Sequence, residues 1–324
     1  MMEGEDKRVA VVVPCLNEAL TLGAVLTDFR RELPDAELVV VDNASTDATA
    51  EVASAHGATV IRESRRGKGY AVRTAFQAVD ADVYLLVDGD GTYPASEARG
   101  LLLPILNGEA DVVIGGRLGH VSGSDFHRLN RLGNHLFLAI VNLMFRTRVS
   151  DLLTGYRAMS RAFVKRSPIL SRGFELETEL TILALERDFR TIEIPVRLSN
   201  RPAGSHSKIR RLGDGLRILK AILVLLRDYR PLAFFGGIGL VTLVAGLVPG
   251  LFVTWEFTRT GAVRIPTAVL AASLEVAGLT LILTGVMLTT LARRFREVDH
   301  QIAGLERELR RSLRDRADRG RGSA

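Results

Sequence analysis

Val83-Tyr84-Leu85-Leu86-Val87-Asp88-Gly89-Asp90-Gly91 runs as an unbroken apolar stretch and then gives way to two carboxylates separated by one glycine. An apolar run without alternation belongs to a strand covered on both faces. Similar runs at Val9–Val13, Leu38–Val41, Thr59–Ile61 and Val112–Ile114 alternate with segments of helical character at Ala19–Arg31, Asp47–His56 and Tyr70–Val79. That alternation predicts an α/β domain built on a mostly parallel sheet. The carboxyl ends of parallel strands lie along one edge, so Asn17, Asp42, Asp88 and Asp90, each just past a strand, are expected to converge there.

Carboxylates at i and i+2 in a glycine-loosened loop can both turn toward one hard cation. Mg²⁺ or Mn²⁺ held by one or two carboxylates completes its shell with substrate phosphates, so the pattern points to a diphosphate ligand. Asp-Gly is also a turn signal, and a tight hairpin with solvated acids fits the same residues; the expected convergence favours the metal. An EF-hand is excluded, because Tyr93 stands at the loop glycine and Arg99 at the closing glutamate. No Gly-x-Gly-x-x-Gly follows the first strand. Arg65-Arg66-Gly67-Lys68-Gly69 is not a Walker loop, since Arg62 occupies its upstream glycine position and Gly69 its Ser/Thr position. This basic turn either meets a phosphate at the start of the next helix or is a solvated loop.

The 324 residues leave room for one sizeable domain plus appendages, and the single cysteine, Cys15, rules out an internal disulfide. A net charge of +6 suggests a polyanionic partner, either nucleic acid or an anionic membrane face. Two long apolar stretches decide for the bilayer. Leu232–Trp255 carries no charge and as a helix would span roughly 36 Å against a hydrocarbon core of about 30 Å. Ile265–Ala292 is interrupted only by Glu275, and the polar segment Glu256–Arg264 joins the two into a hairpin. Glu275 within a span is a functional residue or a hydrogen-bonding partner for a neighbouring helix. Arg227 and Arg230 before the first span, and Arg293, Arg294 and Arg296 after the second, put both chain ends in the cytoplasm, giving a multi-pass protein of the cytoplasmic membrane. Lys7 and Arg8 lead into a short strand rather than a signal peptide. No stacking pattern of aromatic and basic residues and no helix-turn-helix supports nucleic acid.

Four regions are expected: residues 1–207 as the catalytic domain, 208–231 as a basic amphipathic helix at the lipid interface, 232–292 as the hairpin, and 293–324 as a cytoplasmic helical tail. In 208–231, Leu212, Leu216, Ile218, Leu219, Ile222, Leu223 and Leu226 are interleaved with Arg210, Arg211, Arg217, Lys220 and Arg227. In the tail, Phe295, Val298, Ile302, Leu305 and Leu309 alternate spacings of three and four, which suits a homo-oligomer joined by a short coiled coil or a helix lying on the membrane.

Eight motifs in order carry a family resemblance. Val11-Val12-Val13-Pro14-Cys15-Leu16-Asn17-Glu18, Val41-Asp42-Asn43-Ala44-Ser45-Thr46-Asp47, Gly67-Lys68-Gly69 and Val87-Asp88-Gly89-Asp90-Gly91-Thr92-Tyr93-Pro94 resemble family 2 glycosyltransferases of GT-A fold, a Rossmann-like architecture. Gly115-Gly116-Arg117, Ser150-Asp151-Leu152-Leu153-Thr154-Gly155-Tyr156-Arg157, Gly173-Phe174-Glu175-Leu176-Glu177 and Gly204-Ser205-His206-Ser207-Lys208-Ile209 resemble the polyprenyl-phosphate branch, typified by dolichol-phosphate mannose synthases. The resemblance covers about residues 8–230 and extends to the membrane hairpin of bacterial members.

The resemblance implies that Pro14, Asn17, Glu18 and Asp42 line the donor site, with Asp42 on the nucleoside. Asp88 and Asp90 would take the ribose-diphosphate and its metal, with Lys68 close to the donor. Arg117 and one of Arg128 or Arg131 would bind acceptor or donor phosphates, and Lys208 would sit beside the diphosphate. Asp151 and Glu177 resemble carboxylates near the sugar or acceptor; equally, Asp151 suits a turn cap and Glu177 an arginine partner on a helix face. His127, His135 and His206 lack metal-ligand spacing and read as structural. Thr92 stands where dolichol-phosphate mannose synthases often have glutamine as an extra metal ligand, which implies a more open shell. The donor so implied is a nucleotide-diphosphate sugar, UDP-glucose ahead of GDP-mannose and then UDP-N-acetylglucosamine, and the acceptor a polyprenyl phosphate. A processive polysaccharide synthase of the same fold would carry Gln-x-x-Arg-Trp, and the only tryptophan here is Trp255, within a span. A membrane-anchored scaffold that lost activity is a further alternative, opposed by intact Asp88, Asp90, Arg117 and Lys208.

Overall fold

The computed structural model describes residues 7–117, 138–139, 142, 149–173, 175–199, 223–224 and 226–321, the side chains of 296 and 299–321 excepted. Arg128, Arg131, Lys208, the three histidines named above and most of the 208–231 segment lie outside the described residues. The chain divides into two compact units, Met1–Gly215 and Leu216–Ala324.

The first unit is a seven-stranded sheet in the order β3-β2-β1-β4-β6-β5-β7. Its strands are β1 Val9–Cys15, β2 Glu37–Asp42, β3 Thr59–Arg62, β4 Val83–Leu86, β5 Val112–Arg117, β6 Arg157–Ser160 and β7 Thr191–Val196. β1 pairs in parallel with β2 and β4, in register Cys15 to Asp42 and Val9 to Val83. β6 runs antiparallel to both β4 and β5, while β5 and β7 are parallel. The sheet is thus mostly parallel, as the apolar runs predict, with two strands beyond the five legible as such runs.

Helices α1 Ala19–Glu32, α2 Thr49–Ala55, α3 Lys68–Ala78, α4 Ala98–Leu106, α5 Arg161–Arg166 and α6 Leu176–Glu186 complete the unit. α1 buries Leu22, Val25, Leu26 and Phe29, a stripe at helical spacing. These join the alternate strand residues Val11, Val13, Leu38, Val40 and Leu85 in one core. α6 is buried along Leu176–Ala184, including Glu177 and Glu179. Buried glutamates are rare unless paired, and the partners of these two organise the site described below.

The second unit contains α7 Pro231–Thr260 and α8 Ile265–Arg321. Pro231–Thr260 and Ile265–Phe295 are long and apolar enough to cross a membrane. The polar connection is shorter than expected from sequence: Glu256–Thr260 stay helical, and left-handed Gly261 ends α7 with its N–H donated to the Phe257 carbonyl. Arg264 Nε closes the turn against Glu256 Oε2 at 2.8 Å. The two helices meet backbone to backbone. A Cβ on Gly239 would lie 2.6 Å from the Gly278 oxygen, and one on Gly278 2.7 Å from the Gly239 oxygen, the small-residue packing by which apolar helices associate in lipid. α8 continues as one helix through the tail to Arg321.

Candidate active site

The loops after β1 and β2 are tied to one another. Asn17, in the left-handed region at φ 54°, accepts the Thr46 N–H at 2.7 Å on its side-chain oxygen and donates its own N–H to Ser45 Oγ at 3.0 Å. Asp42 accepts the Ser45 N–H at 3.0 Å, and the Glu18 N–H donates to Thr49 Oγ1 at 3.0 Å. The loop after β4 joins this group, because Thr21 Oγ1 of α1 donates to the Gly89 carbonyl at 2.7 Å. Asn17, Asp42, Asp88 and Asp90 are therefore brought to the same sheet edge. Asp90 Oδ1 accepts the Thr92 N–H at 3.0 Å and the Thr92 hydroxyl at 2.6 Å. The threonine that replaces the expected glutamine thus orients Asp90.

The basic turn 65–69 is anchored from three sides. Buried Asn43 donates Nδ2 to the carbonyls of Glu63 at 3.3 Å and Arg65 at 2.6 Å, and its Oδ1 accepts the Gly67 N–H at 2.7 Å. Glu63, also buried, accepts from Arg65 Nε and Nη2 at 2.9 and 2.7 Å and from Thr74 Oγ1 at 2.6 Å. The Arg65 and Thr74 hydrogen bonds hold the Glu63 carboxyl at about 2, well below its ordinary range. On the far side, Glu179 accepts the N–H groups of Leu170 and Ser171 at 2.8 and 2.9 Å, and the following Arg172 carbonyl accepts the Gly69 N–H at 3.3 Å.

This scaffold delivers Lys68 into a nearly closed pocket. Its side chain is 13% exposed and its ammonium bridges Asp88 Oδ1 and Glu177 Oε1, the latter at 2.6 Å. Burial opposes the charge, yet Asp88 and Glu177 together raise the Lys68 pKa above the ordinary lysine range. Burial and the facing Asp88 push the Glu177 carboxyl up against the pull of Lys68. Glu177 thus pairs with Lys68 inside the domain rather than with an arginine on a helix face. The site depends on Gly155, where a Cβ would lie 2.5 Å from Asp88 Oδ2 and 3.0 Å from Lys68 Nζ.

Next to this triad, at the end of β5, Arg117 forms a forked pair with Asp151, Nε to Oδ2 at 2.5 Å and Nη2 to Oδ1 at 2.9 Å. Asp151 also accepts the Leu153 N–H at 3.0 Å, so it caps the turn and orients the arginine at once. Burial works against its ionised form, but Arg117 keeps the Asp151 pKa below the usual value. The turn it caps is held from beneath by the fully buried Arg157, which donates to the carbonyls of Thr154 at 3.0 Å and Leu152 at 3.2 Å and to Thr181 Oγ1 at 2.7 Å. Desolvation lowers the Arg157 pKa to about 10. Tyr93 adds a further brace, its hydroxyl oxygen accepting the Gly155 N–H at 3.1 Å. Asn43, Arg157 and Glu179 are supports of the site that sequence reasoning missed: the first two stand within quoted motifs, and the only signal for Glu179 is a second acid two positions after Glu177 in a leucine-rich helix.

Among the described residues no group of three or more His, Cys, Asp and Glu side chains is placed to hold a metal ion. Asp88 and Asp90 could offer two hard carboxylate oxygens. That set fits an Mg²⁺ or Mn²⁺ ion whose remaining ligands come from a diphosphate and water, and it does not fit a metal caged by protein alone.

A seven-stranded α/β sheet with one antiparallel strand, carrying a carboxylate pair, a largely buried lysine and an arginine paired to an aspartate at its carboxyl edge, is the arrangement of a glycosyltransferase of GT-A fold. The sequence pattern of glycosyl transferase family 2 matches residues 10–168. Glycosyltransferase AglJ of Haloferax volcanii is 33% identical over 299 residues, covering 92% of this chain and 98% of that protein. The dolichyl-phosphate hexose transferase of the same organism is 34% identical over 217 residues, 66% of this chain and 92% of that protein. Among solved structures, glucosyl-3-phosphoglycerate synthase from Mycobacterium tuberculosis in complex with Mn²⁺ and UDP-glucose superposes with a TM-score of 0.56 at 25% identity, over 68% of this chain and 78% of that one. The chain belongs to glycosyl transferase family 2.

Proposed function

We propose that the protein transfers a hexose, with inversion, from a nucleotide-diphosphate sugar to a polyprenyl phosphate at the cytoplasmic face of the membrane. The observation that carries this reading is the junction, within one chain, of the Asp88, Asp90, Lys68 and Arg117 edge with a hairpin long and apolar enough to cross a bilayer. The relative named as a dolichyl-phosphate hexose transferase supports the lipid acceptor. The neighbour crystallised with Mn²⁺ and UDP-glucose supports a divalent metal and a nucleotide-sugar donor, for which our first choice is UDP-glucose ahead of GDP-mannose.

A phosphate monoester is largely dianionic near neutral pH, its second pKa being about 6. The acceptor oxygen therefore needs no general base, and catalysis reduces to alignment and charge neutralisation. Asp42 holds the nucleoside, and Asp88 and Asp90 hold the metal and the ribose-diphosphate. Lys68 and Lys208 balance the leaving diphosphate. Arg117, positioned by Asp151, receives the acceptor phosphate with one of Arg128 or Arg131. The metal ion, when bound, supplies Lewis-acid stabilisation of leaving-group charge. In-line displacement at C1 turns an α-linked donor into a β-linked lipid phosphosugar. We assign 1–207 to catalysis, 208–231 to the lipid interface, 232–292 to the membrane and 293–324 to a cytoplasmic tail that promotes self-association.

The test is incubation of the detergent-solubilised protein with a panel of nucleotide sugars and a short polyprenyl phosphate, followed by mass spectrometry of the lipid fraction. A polyprenyl-phosphate hexose is expected. Transfer only to water-soluble phosphate acceptors, or none to any acceptor, would overturn the reading.

A further inference from the structure

Lys68 is seated on a carboxylate that we propose as a metal ligand. Its ammonium lies against Asp88, one of the two carboxylates that fit a divalent cation, and is shared with buried Glu177 at 2.6 Å. We infer that Lys68 is a built-in counter-cation that guards the metal site against ions arriving without donor, and that Glu177 is the positioning residue that retains the lysine when metal and diphosphate enter together. The inference rests on the donor-site reading given above.

The charge balance supports it. Lys68, Asp88 and Glu177 carry one positive and two negative charges in a pocket where the lysine is 13% and Glu177 5% exposed. A lone dication at Asp88 would face the ammonium at close range, a repulsion that is costly away from water. A dication accompanied by a diphosphate restores the original net charge. Glu177 gives the displaced ammonium a partner it already holds, so Lys68 remains buried and ionised while its other contact passes from Asp88 to the donor phosphates. The pocket is built for this three-way contact: Gly155 leaves room where a Cβ would meet both Asp88 and Lys68 Nζ. The nearby Arg117 is already paired with Asp151 in a two-point fork.

The experiment measures Mn²⁺ binding to the full chain in detergent, from the spin-resonance signal of free Mn²⁺, with and without UDP. The proteins compared are the wild type, Lys68→Gln, Glu177→Gln and the double variant, which leaves no unpaired glutamate at position 177; circular dichroism and melting confirm folding. UDP is expected to tighten Mn²⁺ binding strongly in the wild type. Lys68→Gln should raise the UDP-free Mn²⁺ affinity about tenfold or more, as removal of a close competing charge does. Glu177→Gln should lower that affinity, because Lys68 is then left to Asp88 alone, and the effect should vanish in the double variant. Folded Lys68→Gln and double variants whose UDP-free affinity stays within about twofold of wild type would overturn the inference while leaving the donor reading intact. A loss on Glu177→Gln that persists without Lys68 would overturn the role of Glu177. Failure of every protein to bind Mn²⁺, even with UDP, would overturn the donor reading and the inference together.

Discussion

Replacing Gly155 by alanine adds a single methyl group at the point where the triad is most tightly built. Gly155 has no left-handed φ, so alanine meets no backbone penalty, and the cost is steric. The new Cβ would lie 2.5 Å from Asp88 Oδ2 and 3.0 Å from Lys68 Nζ. Ordinary carbon–oxygen contact is about 3.5 Å, so the carboxylate must retreat by roughly 1 Å. Overpacking of this kind costs about 1–3 kcal/mol, and the sum is at the low end here because Asp88 is 29% exposed and can move. A displacement of about 1 Å in a group that aligns the donor costs on the order of a hundredfold in rate. Gly155→Ala is therefore expected to fold, to melt only a few degrees below wild type, and to transfer sugar about a hundredfold more slowly, with the loss concentrated in kcat/KM for the nucleotide sugar. Steady-state transfer assays across donor concentration, paired with thermal melts, check both halves. Turnover within about threefold of wild type in a folded protein would refute the claim that the position of Asp88 is set by the absence of a side chain at 155.

Asp90→Asn keeps the oxygen that accepts from Thr92 but removes the charge. Folding should survive and transfer should fall by several orders of magnitude, in line with stabilisation of several kcal/mol from a bound metal; chelator should silence the wild type equally, both read by the lipid-product assay. Glu63 has a folded-state pKa of about 2 against 4.5 ordinarily, so its contribution to stability is complete above pH 4.5 and is lost as pH falls toward 2; melts across that window should be flatter for Glu63→Gln than for wild type. If both chain ends are cytoplasmic, as we propose, protease added outside intact spheroplasts should leave a C-terminal tag untouched. If the tail promotes association, deletion of 293–324 should reduce the number of subunits per detergent-solubilised particle, measured by light scattering.

Strands β1 to β5 are legible because each is a continuous apolar run, the signature of burial on both faces. β6 and β7 do not declare themselves. β6 begins at Arg157, which is polar in sequence but fully buried, its guanidinium satisfied by the carbonyls of Leu152 and Thr154 and by Thr181. β7 is an edge strand containing Glu193 and Pro195, the composition that edge positions tolerate. Asp42, Asp88 and Asp90 were legible for a related reason, since each lies at or just past the end of a strand and topology carries it to the edge. What could not be read locally is how the long-range partners are chosen. Lys68 and Glu177 are separated by 109 positions, and nothing in either neighbourhood indicates that the basic turn would face inward. The turn is fixed by Asn43 on one side and by the segment that Glu179 secures on the other. A pair of acids in a leucine-rich helix was the available clue. A buried glutamate requires a partner, and α6 carries two, one pairing with the lysine of the site and the other fastening the backbone against which that lysine's turn is packed.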